Sequence, residues 1–300
     1  MQLFGHRGGS VVCPENTAQS FEWALQRGSA GVECDLQQLA DGTIVVLHDD
    51  TLRRTAEDGT PEALLDVPVA QLRWEDVRDV WVGGGQTLLT FDAFLALIAA
   101  HGGARCLVEL KGGDSAIIDA AAEVALARAA LPFGERIGPD CVIFIGFDME
   151  VMLAMKRRLP AYRSYLVVDP CTVAEKLRQI ASCKAGGLDG VDFCAQPADF
   201  DASVMGAAAE AGLDVGVWVW RKHPETDTRA SWDAFTELGI TFFTSDLPPE
   251  IFSWQKSASS GAGIENETEA VVWDAWAPAP VAMCAASAVA AAAVLLSAAA

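Results

Sequence analysis

Short apolar runs alternate along this chain with longer segments whose hydrophobic residues recur at helical spacing. The largely apolar runs at 105–110, 141–146, 164–168, 190–193 and 240–243 are too short for buried helices and read as strands, as does 215–220. Ala18, Phe21, Ala24 and Leu25 form one helical stripe, which Asn16 or Thr17 can cap and which runs to about Gly28. Further helices are expected from Thr90 to Ala100, after Lys111 to Ala130, from Asp148 to near Pro160, and from a Thr172/Glu175 capping box to Lys184. Two more cover 202–211 and 230–238. Regular alternation of strand and helix predicts βα units around a parallel sheet.

Gln2 to Gly5 is a further short strand, which delivers His6-Arg7-Gly8-Gly9 at its C-terminal end. The stretch from Gly31 to Asp49 breaks the alternation. Glu33 and Asp35 stand two residues apart in an apolar run, so on a strand both leave the same face. Asp41-Gly42 signals a two-residue hairpin turn, because Asp-Gly tolerates the positive φ of type I′. Such a turn pairs Ala40 with Thr43, Leu36 with Leu47 and Asp35 with His48, gathering Glu33, Asp35 and His48 at one point. Six residues between Leu36 and Thr43 are too few for a parallel crossover, so 43–48 runs antiparallel as an excursion from the second strand. Nine strands then reduce to eight βα units. The expected fold class is α/β, a (β/α)8 TIM barrel with a β-hairpin excursion after strand 2, ahead of a doubly wound open sheet. Residues of about 50–89 are expected to form a small insertion or lid rather than a second domain.

Composition narrows the partners. With 21 basic and 41 acidic residues the net charge is −20, which argues against nucleic acid and makes any anionic substrate depend on local cations. Eight cysteines are scattered without a Cys-x-x-Cys pair, so no zinc ribbon is expected. The start Met-Gln-Leu-Phe-Gly-His has neither a basic nor an apolar leader region, so a cytoplasmic location is expected. The barrel is expected over 1–252, followed over 253–300 by a Ser/Ala/Gly linker and an Ala-rich apolar tail. That tail carries no charge after Asp274, but alanine is marginally hydrophobic and no basic cluster flanks it. Membrane contact through the tail is the lesser expectation.

Catalytic groups of such barrels cluster at the C-terminal ends of the strands. His6, Glu33 with Asp35, Glu109 with Lys111, Phe147, Trp218 with Trp220, and Asp246 all fall at or just beyond these ends. With the first three barrel strands adjacent, His6, Glu33, Asp35, His48, Glu109 and Lys111 line one pocket. Two acids on the inward face of an apolar strand are costly unless a cation or hydrogen-bond donors meet them. His101 and His223 read as a helix-end and a loop residue.

Gly-His-Arg-Gly at 5–8, Pro-Glu-Asn-Thr at 14–17, Val-Glu-Cys-Asp-Leu at 32–36, His-Asp at 48–49 and Val-Glu-Leu-Lys at 108–111 form an ordered set. Together they resemble the glycerophosphodiester phosphodiesterase family, with looser similarity continuing to about Pro248. The resemblance implies a divalent cation, calcium or magnesium, held by Glu33, Asp35 and Glu109, an oxygen donor set that suits a hard ion. It makes His6 and His48 the general acid and base, without deciding which is which. Arg7 and Lys111 are then expected to bind phosphate oxygens. Glu15 and Asn16 are either site wall or helix-entry residues. Phe147 and Trp220 are expected beside the alcohol moiety, and the head group itself stays open. The implied reaction is metal-dependent hydrolysis of a small-molecule glycerophosphodiester to sn-glycerol 3-phosphate and an alcohol. The alternatives are a lysophospholipid-type phosphodiesterase or lyase on the same barrel, and a non-catalytic phosphodiester-binding barrel.

Overall fold

The computed structural model describes residues 1–112, 115–218 and 227–246. Its strands are β1 (Gln2–Gly5), β2 (Gly31–Gln38), β3 (Ile44–Val46), β4 (Leu89–Thr90), β5 (Arg105–Leu110), β6 (Val142–Gly146), β7 (Arg163–Val168), β8 (Gly190–Cys194), β9 (Asp214–Trp218) and β10 (Phe242–Ser245). The helices are α1 (Ala18–Gln26), α2 (Glu62–Leu65), α3 (Trp74–Val77), α4 (Phe91–Ala100), α5 (Ser115–Ala129), α6 (Met149–Arg158), α7 (Val173–Gly186), α8 (Ala202–Ala211) and α9 (Arg229–Glu237). β1 bonds in parallel to both β2 and β10, which closes the sheet. Around the ring the order is β1-β2-β5-β6-β7-β8-β9-β10, all parallel, and a helix spans each described connection between neighbouring staves. This is the (β/α)8 TIM barrel that the alternation predicts. Thr17, Thr90, Asp148, Thr172, Asp201 and Thr228 each accept a backbone N–H at the start of a long helix.

β3 and β4 form the excursion, antiparallel on the upper part of β2. Its register differs by one residue from the two-residue turn read off Asp41-Gly42. Leu39 N donates to Thr43 O at 2.9 Å, so Ala40, Asp41 and Gly42 make a three-residue loop with Gly42 at φ 85°. Asp41 selects this geometry: its carboxylate accepts from Thr43 N at 3.1 Å and from Trp74 N in the insertion at 2.9 Å. A one-residue shift exchanges the faces of a strand. Ile44 and Val46 consequently join Leu36 in the main core, while Val45 and Leu47 join Leu39 in a second one. Asp35 therefore lies opposite Leu47, whose N–H it accepts at 2.9 Å, and not opposite His48.

Residues 50–89 are not irregular chain. They contain α2, α3 and a 3₁₀ turn at Val69–Gln71. Their own core of Leu52, Val69, Leu72, Val77, Val80, Val82 and Leu88 packs on the excursion.

Inside the barrel an apolar plug of Phe4, Leu107, Ile143, Tyr165 and Phe242 lies beneath the mouth. The next inward positions, two residues along each strand, are His6, Glu109, Ile145, Val167 and Thr244, so the plug gives way to polar groups on β1, β5 and β10 and continues apolar on β6 and β7. Gly31, Gly190 and Gly216 make room for the plug: an added Cβ at each would strike the ring of Phe4, Tyr165 or Phe242 respectively. Gly216→Ala is expected to destabilise the fold by about 1–3 kcal/mol through overpacking. Urea unfolding checks this, and an unchanged midpoint would contradict it. Cys34 and Cys106 are buried and Cys141 is half-buried, with its thiol on Gly103 O at 3.0 Å. Among the described residues no helix is long and apolar enough to cross a membrane. The expected linker and tail at 253–300 lie outside the described residues.

Candidate active site

Two backbone bends build the first wall. Arg7 takes φ 52° and Asn16 φ 58°, left-handed values that are uncommon outside glycine. These conformations turn the Arg7 N–H onto Glu33 Oε2 at 3.0 Å and the Asn16 side-chain amide onto Asp35 Oδ2 at 2.8 Å. From behind, Ser20 Oγ and the Asn16 N–H both donate to Arg7 O, at 2.7 and 3.1 Å. Local strain is thus compensated by hydrogen bonds that also aim the two side chains. The helix cap is Thr17, so Glu15 and Asn16 lie just ahead of α1, and neither lines the pocket at the barrel mouth. Glu15 accepts from Arg7 at 2.8 Å and from Arg54 at 2.7 and 2.8 Å.

β2 and β5 place the acids. Asp35 and Glu109 are register partners on these neighbouring strands, and Glu33 is one inward position below Asp35. One oxygen from each of Glu33, Asp35 and Glu109 lies within 4.8 Å of the others. Lys111 reaches back to Asp35 at 3.0 Å and Glu109 at 2.6 Å, and Arg7 Nε stands 3.3 Å from Asp35. Burial pushes Glu33 well above the usual carboxylate range, and Asp35 and Glu109 add to it. Burial and Asp35 raise Glu109 to about 7. Burial would raise Asp35 as well, but Lys111, Arg7 and the Asn16 hydrogen bond hold it well below that range. Glu33 Oε1 is buried and makes no hydrogen bond among the described residues. Three clustered carboxylates with an unpartnered inward oxygen fit a hard divalent cation.

Both histidines are oriented by aspartates. His6 Nδ1 lies 2.7 Å from Asp246 Oδ1. Because a carboxylate only accepts, Nδ1 carries the proton and Nε2 faces Glu33, 3.9 Å from Oε2. His48 Nδ1 bonds Asp49 at 2.6 Å, and Arg54 holds Asp49 in turn at 2.6 and 2.8 Å. The chain's bend after Leu47, rather than cross-strand pairing, brings His48 to the pocket. Burial lowers the His48 pKa, and Arg7 and Lys111 push the same way against the pull of Asp35. With Nδ1 on Asp49, Nε2 is the ring nitrogen left without that carboxylate.

The pocket at the barrel mouth has a volume of about 440 Å³, and His6, Arg7, Glu33, His48, Glu109, Lys111 and Phe147 line it. Phe147 stands edge-on to Trp218 with ring centroids 5.8 Å apart. Asp35 and Asn16 support this wall from behind, and Trp220 lies outside the described residues. The pocket also takes Asp49, Arg54, Asp169, Asp192 and Thr244, which the sequence reading passed over as site residues. Asp49 could have been found as the carboxylate next to a histidine, whereas the sequence places Asp246 at the last strand end but assigns it no role. Arg54 carried no signal, because the path of the insertion brings it there. Asp192 is buried, and burial together with Glu109 pushes its carboxyl well above the usual range. His101, by contrast, bonds Leu97 O at 3.0 Å at the end of α4, as a helix-end residue should.

Residues 6–249 match the glycerophosphoryl diester phosphodiesterase family. The chain is 48% identical over 73 residues to glycerophosphodiester phosphodiesterase 1 of Bos taurus, covering 24% of this chain and 22% of that one. It is 32% identical over 116 residues to a glycerophosphodiester phosphodiesterase of Bacillus altitudinis, covering 37% and 45%. These matches span less than half the length of either relative. Among solved structures, a phosphodiesterase of Oleispira antarctica in complex with the product sn-glycerol-3-phosphate superposes with a TM-score of 0.69 at 23% identity, covering 86% of this chain and 97% of that one. A glycerophosphodiester phosphodiesterase of Agrobacterium tumefaciens gives 0.66 at 22% identity, covering 84% and 99%. The structural likeness shows the shared barrel, and the family match runs from the first site histidine past the last stave: the chain belongs to the glycerophosphoryl diester phosphodiesterase family.

Proposed function

We propose that this chain hydrolyses small glycerophosphodiesters to sn-glycerol 3-phosphate and an alcohol. One observation carries the reading: an acidic trio, two cations and two aspartate-oriented histidines converge on a single pocket in a phosphodiesterase-family barrel. Glu33, Asp35 and Glu109 would hold a divalent cation, calcium or magnesium, whose charge stabilises the phosphoryl oxygens as negative charge develops on them. Arg7 and Lys111 flank the trio and offset the protein's net charge of −20 where a phosphate must bind. Arg presents a fork and Lys a point charge, so together they orient the diester as well as attract it.

His6 and His48 supply one proton acceptor and one proton donor. The acceptor takes the proton of the attacking water as the new O–P bond forms. Its partner protonates the alkoxide as the old P–O bond breaks. Asp246 and Asp49 hold each ring with Nε2 free for this exchange.

Release of sn-glycerol 3-phosphate from glycerophosphocholine and glycerophosphoethanolamine tests the reading. The expected result is no release after chelation, with release restored by calcium or magnesium. An intact diester in every arm, with the protein still binding the ion, would overturn hydrolysis of these substrates.

A further inference from the structure

Asp227 stands one residue ahead of the cap of α9. Thr228 makes that cap by accepting from Ser231 N, so the Asp227 carboxylate is not used at the helix start. Trp232, the fourth residue of α9, turns back instead, and its indole N–H donates to Asp227 Oδ1 at 2.8 Å. A hydrophobic staple joins the same two positions by apolar contact; here a hydrogen bond takes its place. Trp232 is buried in the main core, so the staple ties Asp227 to the barrel wall.

The other carboxylate oxygen crosses to the end of β10. Asp227 Oδ2 accepts the Ser245 hydroxyl at 2.7 Å and the Asp246 backbone N–H at 3.0 Å. Asp227 and Ser245 are 2% and 0% exposed, so bulk water does not compete for these bonds. Burial raises the Asp227 carboxyl, and the three donors, which favour its ionised form, hold that rise down. Both residues it grips act on His6. Ser245 O accepts the His6 N–H at 2.9 Å, and the Asp246 carboxylate meets His6 Nδ1 at 2.7 Å. The histidine's backbone and ring thus depend on one corner of chain, and that corner is held by a carboxylate that does not line the pocket.

Resting on the hydrolase reading for its effect on turnover, we infer that Asp227 is a positioning residue for His6: it clamps the Ser245–Asp246 corner, and through Asp246 it sets the orientation and tautomer of the ring. Without the clamp the Asp246 carboxylate no longer meets Nδ1 at one fixed angle, and Nε2 loses its aim at the reacting atoms.

Asp227→Asn keeps the shape but must turn an N–H toward Trp232 Nε1 or toward Asp246 N, both of which only donate. It is expected to lower kcat on glycerophosphocholine about tenfold, as loss of a hydrogen bond to a charged group allows, with KM within about twofold. Trp232→Phe removes one donor and leaves the Asp246 bond, so it should unfold at a lower temperature than wild type yet keep kcat within about twofold. With both substitutions the amide oxygen can face Asp246, and kcat should recover to within about threefold of wild type. Added to Asp246→Asn, Asp227→Asn should cost nothing further, because it acts through that residue. Nitrogen NMR of the full chain carrying labelled histidine reads the ring without turnover, His6 being the signal lost in His6→Ala. At about pH 8.5 it should be protonated on Nδ1 in wild type and in Trp232→Phe, and a mixture of tautomers in Asp227→Asn. An unchanged His6 tautomer in Asp227→Asn, kcat losses that follow the unfolding temperature in Asp227→Asn and Trp232→Phe alike, or additive losses with Asp246→Asn would each overturn the inference. If glycerophosphocholine is not cleaved while Asp227→Asn still shifts the tautomer, the hydrolase reading fails and the positioning role stands.

Discussion

His6→Ala is expected to lower kcat for glycerophosphodiester hydrolysis by roughly 10²–10⁴-fold, the usual contribution of a positioned general acid or base. KM should change little, because the phosphate is held by other groups and the lost interaction belongs to the transition state. Asp246 sharpens the test. It sits 2.7 Å from His6 Nδ1 and fixes which ring nitrogen carries the proton. Asp246→Asn can present an N–H to the ring and favour the opposite tautomer, so it should also depress kcat. Steady-state kinetics on glycerophosphocholine read both variants. Activity of His6→Ala within about fivefold of wild type would remove His6 from the proton-transfer pair.

Glu33→Gln is expected to weaken divalent-cation binding at least about 100-fold by calorimetry, with hydrolysis falling in parallel. The substitution keeps the shape of the side chain and an oxygen for the Arg7 N–H, so lost charge rather than lost packing is measured. Metal-free stability should move the other way. Glu33 and Glu109 are carboxyls raised by burial and by the charge of Asp35 between them, Glu109 to about 7. In that state the folded protein binds more protons than the unfolded one from about pH 4.5 up to the folded pKa. Metal-free wild type therefore loses stability as pH rises through this window, and Glu33→Gln should unfold at a higher temperature than wild type at pH 8. Cation affinity of wild type should fall as pH drops below about 7, because protons compete for the same oxygens. A cation affinity unchanged by the substitution would exclude Glu33 as a ligand.

Much of the fold was legible from local pattern. Short apolar runs and capped amphipathic stripes each depend on neighbouring residues, so the eight barrel strands and the helices between them could be read one at a time. Glu33 and Asp35 were legible because a strand repeats every second residue, and Glu109 with Lys111 for the same reason. His6 at the end of β1 followed from the way parallel barrels present strand ends. The hairpin was legible in kind and missed in register. Asp41-Gly42 permits both a two-residue and a three-residue loop, and the choice rests on Asp41 accepting the N–H of Trp74, 33 positions further along.

The same division holds at the site. By itself the sequence determined the barrel, the excursion from β2 and the strand-end positions of His6, Glu33, Asp35 and Glu109, because strand periodicity and turn chemistry act over a few residues, whereas His48 was singled out by the family motifs. Tertiary structure alone decided that His48 enters by a bend after Leu47 and that Arg54 ties Glu15 to Asp49 across the mouth. It also decided that Asp192, Trp218 and Thr244 line the same pocket as the acids and histidines. Those groups come from distant parts of the chain, and only closure of the ring brings β8, β9 and β10 opposite β2 and β5. Which buried polar atoms then lack a partner is a property of the closed barrel and of no single strand.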